Sequence, residues 1–563
     1  MQKDVVVVGS GAGALTAALT AKKAGLDVLV VEKTDLLGGT TARSGGMIWV
    51  PNNSYMRKAG IPDSREQVLT YIGKVTGNRF RREVIEAFVD NAPVMLDWVQ
   101  ANTETTFEPA GEPDYFPELE GATKDGRAFN PTNYDGRKLG KKFTTLRGPL
   151  KEVMAFGGVM IDRGDLRLLL NATKSLPGFK HALKILATYA GDRLAGYPRG
   201  TKLTFGNALA GSLLKSAYDS GIEMWTESGA KRLVRDGDRV TGVVVERDGK
   251  EVTVGVRKGV VMATGGFIHN DKMRRELLEY PDDHQTMVID ANKGEGLQMA
   301  LNVGAVLGTD TWQNALGYQV TVMNHPDGWK QKFLLLMNER SKAGSVMVGK
   351  DGKRFANEAA PYNDFYHFQT AAGAVPAWLI VDHTFLRKNG LGLVRPGPAW
   401  MRPLGPYLGA GYLKRGATIR ELAEQIEVDP AGLEATVANM NRYAETGKDP
   451  EFGRGESLYD RNTGDPFHKP HPNLGAIKDG PFYAVAIWPG STGTLCGLKT
   501  NGNAQALDAN DKPIQGLYAC GLDMHSPFSG TFPGAGCSLG PAMTFGFTAA
   551  RHMAGLKPTY DGA

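Results

Sequence analysis

The chain has 563 residues with a net charge of +5 at pH 7, and 42% of its residues are hydrophobic. This composition is typical of a globular protein with several structural units, and because Lys and Arg are interspersed with acids we expect no nucleic-acid partner. No run of about 18 apolar residues occurs, so we expect no transmembrane segment. The three cysteines, Cys496, Cys520 and Cys537, form no C-x-x-C pair, which favours a reducing, cytoplasmic setting.

The N-terminal segment, residues 4–33, has the pattern of a βαβ unit. A run of four valines is followed by a glycine-rich turn, an alanine-rich helix and a second strand, "DVLVVEK". The turn places Gly9 and Gly11 at the first two positions of the dinucleotide fingerprint and Ala14 at the third. Glu32 follows about 20 residues on, where its carboxylate suits a ribose hydroxyl. We therefore predict a dinucleotide site with the binding residues Gly9, Gly11, Gly13, Ala14, Glu32 and Lys33.

Two further segments are rich in strand patterns. Residues 221–266 alternate short β-branched runs with turns such as "RDGDR", which is typical of a β-meander that ends in a buried strand. From residue 494 onward a hairpin pattern is followed by the strand "GLYACG". We predict an α/β fold in which residues 1–283 and 494–563 form a Rossmann-like domain with a parallel sheet and a β-meander. Residues 284–493 are predicted to form an inserted α+β substrate domain.

Several motifs are similar to those of one flavoprotein superfamily. The segments "LGGTTARSGG", "VVMATGGF" and "GLYACG" look like the FAD-binding signatures of the fumarate reductase/succinate dehydrogenase flavoproteins. Within that superfamily, five segments resemble the 3-ketosteroid Δ1-dehydrogenases, in order along the chain: "TARSGGMIWVPNN", "PDYFPE", "GKRFANEAAPYNDF", "RGESLYDRNTGDPFHKPHPNLG" and "GPAMTFGF". The resemblance implies an FAD-dependent enzyme that introduces a C=C bond next to a ketone.

The resemblance also implies how FAD is held and where its electrons go. In succinate dehydrogenases a His in the segment matching "TTARSGG" binds FAD covalently; this chain has none there, so we expect noncovalent FAD. Haem and iron–sulfur motifs are absent, which implies an external electron acceptor, a quinone or another protein. Beyond the fingerprint, the matching motifs place FAD-binding residues at Gly39, Thr40, Thr41, Ser44, Gly45, Gly46, Ala263, Thr264, Gly265, Gly521, Asp523, Ser538 and Leu539.

In the resembling family two tyrosines transfer the proton and a glycine holds the ketone. Matched motif to motif, the base that removes the proton next to the ketone is Tyr362, and Tyr115 is its hydrogen-bonded relay. The N–H of Gly536 holds the substrate carbonyl, and the flavin N5 takes the hydride. Because an ordinary tyrosine pKa near 10 makes a poor base at neutral pH, Tyr362 needs such a partner.

One position departs from the family. Its members carry "TYPGPG", in which the Tyr hydroxyl assists the glycine N–H, whereas this chain reads "TFPGAG" with Phe532. Another donor can replace the hydroxyl, and Ser529, Tyr197 and His525 are candidates. A second possibility is that the carbonyl binds elsewhere, which would give desaturation at a different position, such as Δ4, or desaturation of a smaller cyclic ketone. A third is that the enzyme runs mainly as an enone reductase. An apolar cyclic ketone, such as a steroid, suits the large side chains Met47, Trp49, Phe116, Trp400 and Trp488, although these can equally fill a domain interface.

Rival interpretations have weaker support. The serine-hydrolase pattern at residues 536–540 lacks the strand that a nucleophile elbow requires. A fumarate-reductase-like enzyme needs converging Arg and His side chains, for which His284, Arg340, Arg354 and Arg402 are the candidates, and a non-catalytic flavoprotein is a further alternative. The histidines show no metal-ligand spacing, so we expect no metal site. We expect a cytoplasmic location and leave peripheral association with a membrane open.

Overall fold

The computed structural model describes residues 1–151, 154–169, 172, 175–308, 310–335, 339–397 and 403–556. The strands in these residues are β1 (Gln2–Val8), β2 (Val28–Val31), β3 (Ile48–Trp49), β4 (Phe107–Pro109), β5 (Ala128–Pro131), β6 (Tyr134–Asp135), β7 (Met154–Ala155), β8 (Val159–Met160), β9 (Lys202–Leu203), β10 (Glu223–Trp225), β11 (Gly229–Asp236), β12 (Arg239–Arg247), β13 (Lys250–Met262), β14 (Gln285–Thr286), β15 (Ala315–Asn324), β16 (Lys330–Leu334), β17 (Ser345–Val348), β18 (Ala377–Val381), β19 (Leu413–Gly416), β20 (Phe482–Thr494), β21 (Gln505–Leu507) and β22 (Pro513–Ala519).

The α-helices in the described residues alternate with these strands. They are α1 (Ala12–Lys23), α2 (Ser54–Ala59), α3 (Arg65–Thr76), α4 (Arg82–Asn102), α5 (Arg163–Leu169), α6 (Leu176–Leu194), α7 (Phe205–Asp219), α8 (Asp271–Leu277), α9 (Glu295–Leu301), α10 (Tyr362–Ala371), α11 (His383–Asn389), α12 (Gly405–Gly409), α13 (Ile419–Gln425), α14 (Pro430–Thr446), α15 (Leu458–Thr463) and α16 (Leu539–Met553). In this part of the chain, no helix has both the length and the apolar character needed to span a bilayer.

The first sheet is built around β1, whose last four residues are valines that are almost completely buried. A strand buried on both faces is typical of a parallel sheet. Strands β2 and β13 pair with β1 in parallel, and β10 and β22 extend the parallel part on either side. Strands β11, β12 and β13 form the antiparallel β-meander. The predicted βαβ unit, meander and α/β fold class are therefore confirmed.

The second sheet has β20 at its centre. Strands β15, β18 and β19 pair with β20 in antiparallel fashion, while β14 pairs with it in parallel. Its strands run from Gln285 to Thr494, close to the segment that the sequence assigns to an inserted domain; the domain boundaries themselves stay a prediction.

Helix α10 lies directly on strand β15. Gly317 of β15 faces Tyr366 of α10 so closely that a Cβ atom at this glycine would lie 2.2 Å from the Tyr366 ring. A larger residue at position 317 would therefore push the helix away from the sheet. This close approach sets the first residue of α10, Tyr362, beside Tyr318 of the strand, where their ring centroids are 4.5 Å apart.

Candidate active site

The predicted dinucleotide site lies at the carboxyl end of β1. Helix α1 begins at Ala12, its N-cap residue Gly11 has no side chain to cap it, and its first turn has no acidic residue. The free N–H groups and the helix dipole at such an end attract a phosphate group. Gly9 has a φ of 113°, and a Cβ atom at this position would lie 2.2 Å from the carbonyl oxygen of Ala263. Only glycine fits here, as the fingerprint predicts. Ala14 is buried within α1, whereas Gly13 packs against Ala542 of α16.

Glu32 follows the last residue of β2, and its side chain is held in place. Its carboxylate accepts hydrogen bonds from the Ser10 hydroxyl at 2.6 Å and from the Thr34 backbone N–H at 3.0 Å. The Ser10 hydroxyl in turn accepts a hydrogen bond from the backbone N–H of Gly38 at 3.0 Å. This network ties the acidic residue to the glycine-rich turn, while the adjacent Lys33 forms an ion pair with Glu295 at 2.7 Å.

The segment from Gly39 to Gly46 folds over the start of α1. The Thr41 hydroxyl accepts a hydrogen bond from the Ala12 backbone N–H at 3.0 Å, and Gly39 lies beside Gly11. The Ser44 hydroxyl donates to the Thr41 carbonyl at 2.8 Å. The other predicted residues of this segment, Thr40, Gly45 and Gly46, lie in the same loop.

Asp523 joins two of the predicted FAD-binding loops. Its fully buried carboxylate accepts hydrogen bonds from the Thr264 hydroxyl at 2.9 Å and from the Gly266 backbone N–H at 3.0 Å. Burial raises the pKa of Asp523, and these hydrogen bonds oppose that rise. The loop after β13, which includes Ala263 and Gly265, is thereby fixed to the short turn that begins at Gly521. Sequence reasoning missed Asn292, whose amide donates to the Gly265 carbonyl at 2.7 Å.

The start of α16 resembles the start of α1. Ser538 is its N-cap position and Leu539 its first residue, and again the first turn has neither a capping side chain nor an acidic residue. Gly536 has a φ of 97°, and a Cβ atom there would lie 2.4 Å from the carbonyl carbon of Ile48. Its carbonyl accepts hydrogen bonds from Trp49 and Gly540, but among the described residues no acceptor takes its N–H. That N–H is therefore available to an oxygen atom of a ligand.

The two predicted catalytic tyrosines come together beside Phe532. The ring centroids of Tyr115 and Tyr362 are 6.0 Å apart and their rings are nearly perpendicular. Phe532, which is 1% exposed, lies 6.0 Å from the Tyr115 ring and 5.8 Å from the Tyr362 ring. The backbone N–H of Tyr115 also donates to the carbonyl of Pro533 at 3.0 Å. The loop that carries Gly536 is thus fixed to both tyrosines.

Burial dominates the ionisation of both tyrosines. It raises the pKa of Tyr115 and of Tyr362 well above the ordinary value, and Tyr318 raises the pKa of Tyr362 further. The polar interaction with the Tyr115 hydroxyl acts in the opposite direction and lowers the pKa of Tyr362, because it stabilises the phenolate. The interaction between the two hydroxyl groups thus favours ionisation of Tyr362 over ionisation of Tyr115, because it lowers the pKa of Tyr362 and raises that of Tyr115.

Two further tyrosines extend this cluster. Tyr318 of β15 stacks on Tyr362 with 4.5 Å between ring centroids, and Tyr459 of α15 lies 4.9 Å from the Tyr115 ring. Sequence reasoning missed both as site residues. Tyr459 stands in the motif "RGESLYDRNTGDPFHKPHPNLG", which carried part of the resemblance, whereas Tyr318 has no sequence signal because only the contact between α10 and β15 places it there.

The three residues predicted as possible replacements for the missing Tyr hydroxyl make contacts with other parts of the protein. The Ser529 hydroxyl donates to the Arg79 carbonyl at 2.9 Å. His525 packs against Gly308, and burial lowers its pKa to about 3. Tyr197 packs edge-on against Phe143.

The large apolar residues that the sequence suggests for the substrate pocket differ in their burial. Trp49 is fully buried, stacked on Phe88 and hydrogen-bonded to Asp114, so it fills the core and does not line a pocket. Met47, Phe116 and Trp488 are partly buried. Trp400 and Arg402 lie outside the described residues.

Comparisons with known proteins show the family of the chain. A family model described as an FAD-binding domain matches residues 4–539. The chain belongs to this FAD-binding family. The FAD-binding protein is 36% identical to 4-oxocyclohex-2-ene-1-carboxylate 5-dehydrogenase of Sinomonas cyclohexanicum, over 98% of this chain and 94% of the relative. It is also 36% identical to 3-oxosteroid 1-dehydrogenase of Mycolicibacterium smegmatis, over 98% and 97% of the two chains.

A solved structure supports the same relationship. The crystal structure of 3-ketosteroid Δ1-dehydrogenase from Sterolibacterium denitrificans, in complex with 1,4-androstadiene-3,17-dione, superimposes with a TM-score of 0.90 at 36% identity, covering 98% of this chain and 99% of that one. The FAD-binding protein is therefore an FAD-dependent oxidoreductase of the type that acts on CH–CH groups, close to known ketone dehydrogenases.

Proposed function

We propose that the protein desaturates a cyclic ketone at the bond next to its carbonyl group, in the manner of a 3-ketosteroid Δ1-dehydrogenase. The observation that carries the proposal is the packing of Tyr362 and Tyr115 against each other and against Phe532, in the loop whose Gly536 N–H has no acceptor among the described residues. One end of this group accepts a proton and the other donates a hydrogen bond to a carbonyl oxygen. Removal of a proton from the carbon next to a ketone requires both.

In this proposal Gly536 donates its N–H to the ketone oxygen, which stabilises the enolate that forms when the neighbouring proton leaves. Tyr362 accepts that proton, and Tyr115 stabilises the Tyr362 phenolate before it does so. FAD, when bound, supplies at N5 the acceptor for the hydride from the next carbon. The buried, largely apolar surroundings of the tyrosines exclude water from the reacting atoms.

The FAD-binding role of the predicted loops belongs to the same proposal. The uncapped start of α1 suits the pyrophosphate, and Glu32 suits a ribose hydroxyl. The segment from Thr40 to Gly46 contains no His, which supports noncovalent attachment. Acid precipitation of the holoenzyme should release all of its flavin into the supernatant, and flavin that stays with the precipitate would contradict noncovalent binding.

Two substrate classes are candidates, because relatives of equal identity act on a 3-oxosteroid and on an oxocyclohexene carboxylate. Anaerobic bleaching of the flavin by a panel from cyclohexanones to 3-ketosteroids, followed by product identification, tests the reaction. A holoenzyme that no ketone bleaches would overturn it. We further propose a cytoplasmic location and a quinone or a protein as the electron acceptor.

The variant Phe532→Tyr tests the steroid candidate. It restores the hydroxyl that family members place beside the glycine N–H, and loss of one such donor costs about 3 kcal/mol in other enzymes. If the site is otherwise of the steroid type, the rate of desaturation of a 3-ketosteroid should rise in the variant by a factor on the order of 10 to 100. An unchanged or lower rate, measured with a redox dye as acceptor, would exclude this site model.

A further inference from the structure

Asn363 is the second residue of helix α10, directly after Tyr362, and its side chain is completely buried. Its amide oxygen accepts a hydrogen bond from the backbone N–H of Gly317 in β15 at 3.0 Å. Its amide nitrogen donates to the backbone carbonyl of Gly530 at 3.3 Å. Gly530 lies in the segment 529–536, which we call the donor loop because it ends at the glycine whose N–H has no acceptor among the described residues. One side chain therefore joins the start of α10 both to a strand and to this loop.

The partners of Asn363 determine how its amide is oriented. A backbone N–H can only donate and a backbone carbonyl can only accept, so the amide oxygen must face Gly317 and the amide nitrogen must face Gly530. Both ends of the buried amide are thus hydrogen-bonded, which holds the side chain in one position. Leu has a similar volume but makes neither hydrogen bond, and a Ser side chain is too short to reach both partners.

The donor loop is tied to the two predicted catalytic tyrosines by different bonds. The backbone N–H of Tyr115 donates directly to the carbonyl of Pro533 at 3.0 Å. On the other side, the bond from Asn363 is the one hydrogen bond between α10 and residues 529–536, both of which the structure describes in full. The place of Tyr362 relative to the loop therefore depends on a single amide and on ring contacts.

The point that Asn363 reaches in the donor loop is itself held in place. Ser529 and Gly530 both have a left-handed backbone conformation, with φ values of 49° and 82°. A Cβ atom at Gly530 would lie 2.5 Å from the carbonyl oxygen of Gln313. The backbone N–H of Trp312 donates to the Ser529 carbonyl at 2.8 Å. The loop thus starts from a turn that packs tightly against the segment before β15, and Asn363 connects α10 to this turn.

Two glutamines hold the first turn of α10 on the protein without a hydrogen bond to the donor loop. Nε2 of Gln319 donates to the Tyr362 carbonyl at 3.0 Å. Nε2 of Gln313 donates to the Asn363 carbonyl at 3.0 Å. These two amides orient the helix on β15 and the segment before it, whereas the Asn363 side chain also orients the helix relative to the loop.

We propose that Asn363 is a positioning residue for proton transfer, whose amide sets the place of Tyr362 relative to the ketone that Gly536 holds. This role rests on the proposed function, in which Tyr362 accepts the proton and Gly536 binds the carbonyl oxygen. A base must approach the C–H bond closely and in the correct direction, and a displacement of about 1 Å can cost on the order of 100-fold in rate. Asn363 acts through its two hydrogen bonds and its backbone, and not on the reacting atoms.

Two variants break the link between α10 and the donor loop. Asn363→Leu keeps the approximate volume of the side chain and loses both hydrogen bonds. Asn363→Ser also loses the direct link but leaves room for a water molecule that bonds to the two backbone groups, so it serves if Asn363→Leu does not fold. Flavin content and thermal unfolding of each purified variant show whether it is folded.

Anaerobic stopped-flow measurement of flavin reduction separates substrate binding from the chemical step. The substrate is 4-androstene-3,17-dione, 4-oxocyclohexanecarboxylate or another cyclic ketone that bleaches the flavin of the unmodified holoenzyme. In Asn363→Leu the limiting rate of flavin reduction should fall on the order of 10- to 100-fold, while the substrate Kd should change less than about threefold. The reason is that the bound ketone then faces a misplaced base, whereas the Gly536 N–H still binds its carbonyl.

The matched control lies in the same helix. Gln369 is completely buried, and its Nε2 donates to the carbonyl groups of Ala374 and Ile487 at 3.0 and 2.9 Å. Gln369→Met removes a buried amide of α10 that makes no hydrogen bond to the donor loop. This variant should therefore lower thermal stability without slowing flavin reduction.

A double-mutant cycle shows whether Asn363 acts through Tyr362. Asn363→Leu should slow flavin reduction less than about twofold in the Tyr362→Phe background, because the hydroxyl group that it positions is then absent. Equal factors in the two backgrounds, or a factor no larger than that of Gln369→Met, would overturn the inference. Loss of flavin from both Asn363 variants would also overturn it and assign Asn363 to stability.

A failure of the proposed function gives different results. If no cyclic ketone bleaches the flavin of the unmodified holoenzyme, the proposed function itself is wrong. If the flavin of Tyr362→Phe is reduced as fast as that of the unmodified protein, Tyr362 does not accept the proton, and the positioning role of Asn363 falls with it.

Discussion

The loops that we propose to bind FAD and the tyrosine cluster differ in how their polar groups are paired. In the loops, the side chains of Asp523, Glu32 and Thr41 each accept a hydrogen bond from a backbone N–H, so these polar groups are paired within the protein. In the cluster, the N–H of Gly536 has no acceptor among the described residues. A surface that holds a permanent cofactor benefits from being complete in advance, whereas a substrate site needs groups that only the substrate pairs.

The largest expected effect comes from the proton-accepting residue of the cluster. Tyr362→Phe should lower kcat by a factor on the order of 10² to 10⁴, because general-base catalysis contributes that much, without loss of bound flavin. The control is Tyr366→Phe, since Tyr366 is also buried and lies one turn further along α10, against Gly317. Steady-state kinetics should show little change in this control. Equal rates for the two variants would show that Tyr362 is not the residue that accepts the proton.

A smaller effect is expected from a change in the FAD-binding loops. In Gly9→Ala the new Cβ atom meets the Ala263 carbonyl, so the turn must shift and FAD affinity should fall at least about tenfold. Gly25 has a similar φ, 86°, but open space around it. Gly25→Ala should therefore show only the strain of about 1 kcal/mol from the left-handed conformation. Fluorescence titration of the apoproteins with FAD measures the difference, and equal affinities would show that the close contact is unimportant.

A further expected effect concerns the dependence of protein stability on pH. Asp364, in the first turn of the helix that begins at Tyr362, is 6% exposed. Burial raises the pKa of its carboxyl group from 3.8 to about 7, although Arg340 opposes this rise. Because the folded-state pKa is higher than the unfolded one, the contribution of Asp364 to stability is full at low pH and is lost as the pH rises through 7.

The variant Asp364→Asn removes this dependence. Relative to the unmodified protein, its free energy of unfolding should increase by about 1.4 kcal/mol per pH unit between the two pKa values and then stay constant. Urea unfolding at several pH values measures the trend. Asp238→Asn is the control, because the Asp238 side chain is fully exposed and should give no such trend. A flat difference for Asp364→Asn would show that its carboxyl group ionises normally in the folded protein.

The sequence predicted the N-terminal βαβ unit because its signals are local. The strand of valines, the glycine-rich turn and the acid after the second strand lie within residues 4–33, and the structure forms β1, α1 and β2 from them. The meander and the start of α16 were predicted from equally short patterns. Asn292 was not predicted, because its hydrogen bond to Gly265 depends on a loop that meets the first domain only after the chain has folded.

The tyrosine cluster could be predicted only in part. Tyr115 and Tyr362 were found through motifs, but nothing in the residues themselves indicates that they meet, since 246 positions separate them along the sequence. Tyr318 and Tyr459 join them from β15 and α15 through packing alone. The structure also shows what Phe532 contacts. Its ring packs on both predicted catalytic tyrosines, at the position that matches the Tyr of the motif in the resembling family.

The sequence by itself determined the parallel sheet, the dinucleotide fingerprint and the residue types available for proton transfer, because strand periodicity and turn chemistry act over a few residues. The tertiary structure alone decided which of the candidate side chains form ion pairs or side-chain hydrogen bonds within the protein. His284, Arg340 and Arg354 are equivalent candidates in the sequence, and only the positions of Ser491, Glu358 and Asp449 show that two of them are engaged. Charge neutralisation in a protein interior depends on distances between segments that are remote in sequence, and those distances exist only in the folded chain.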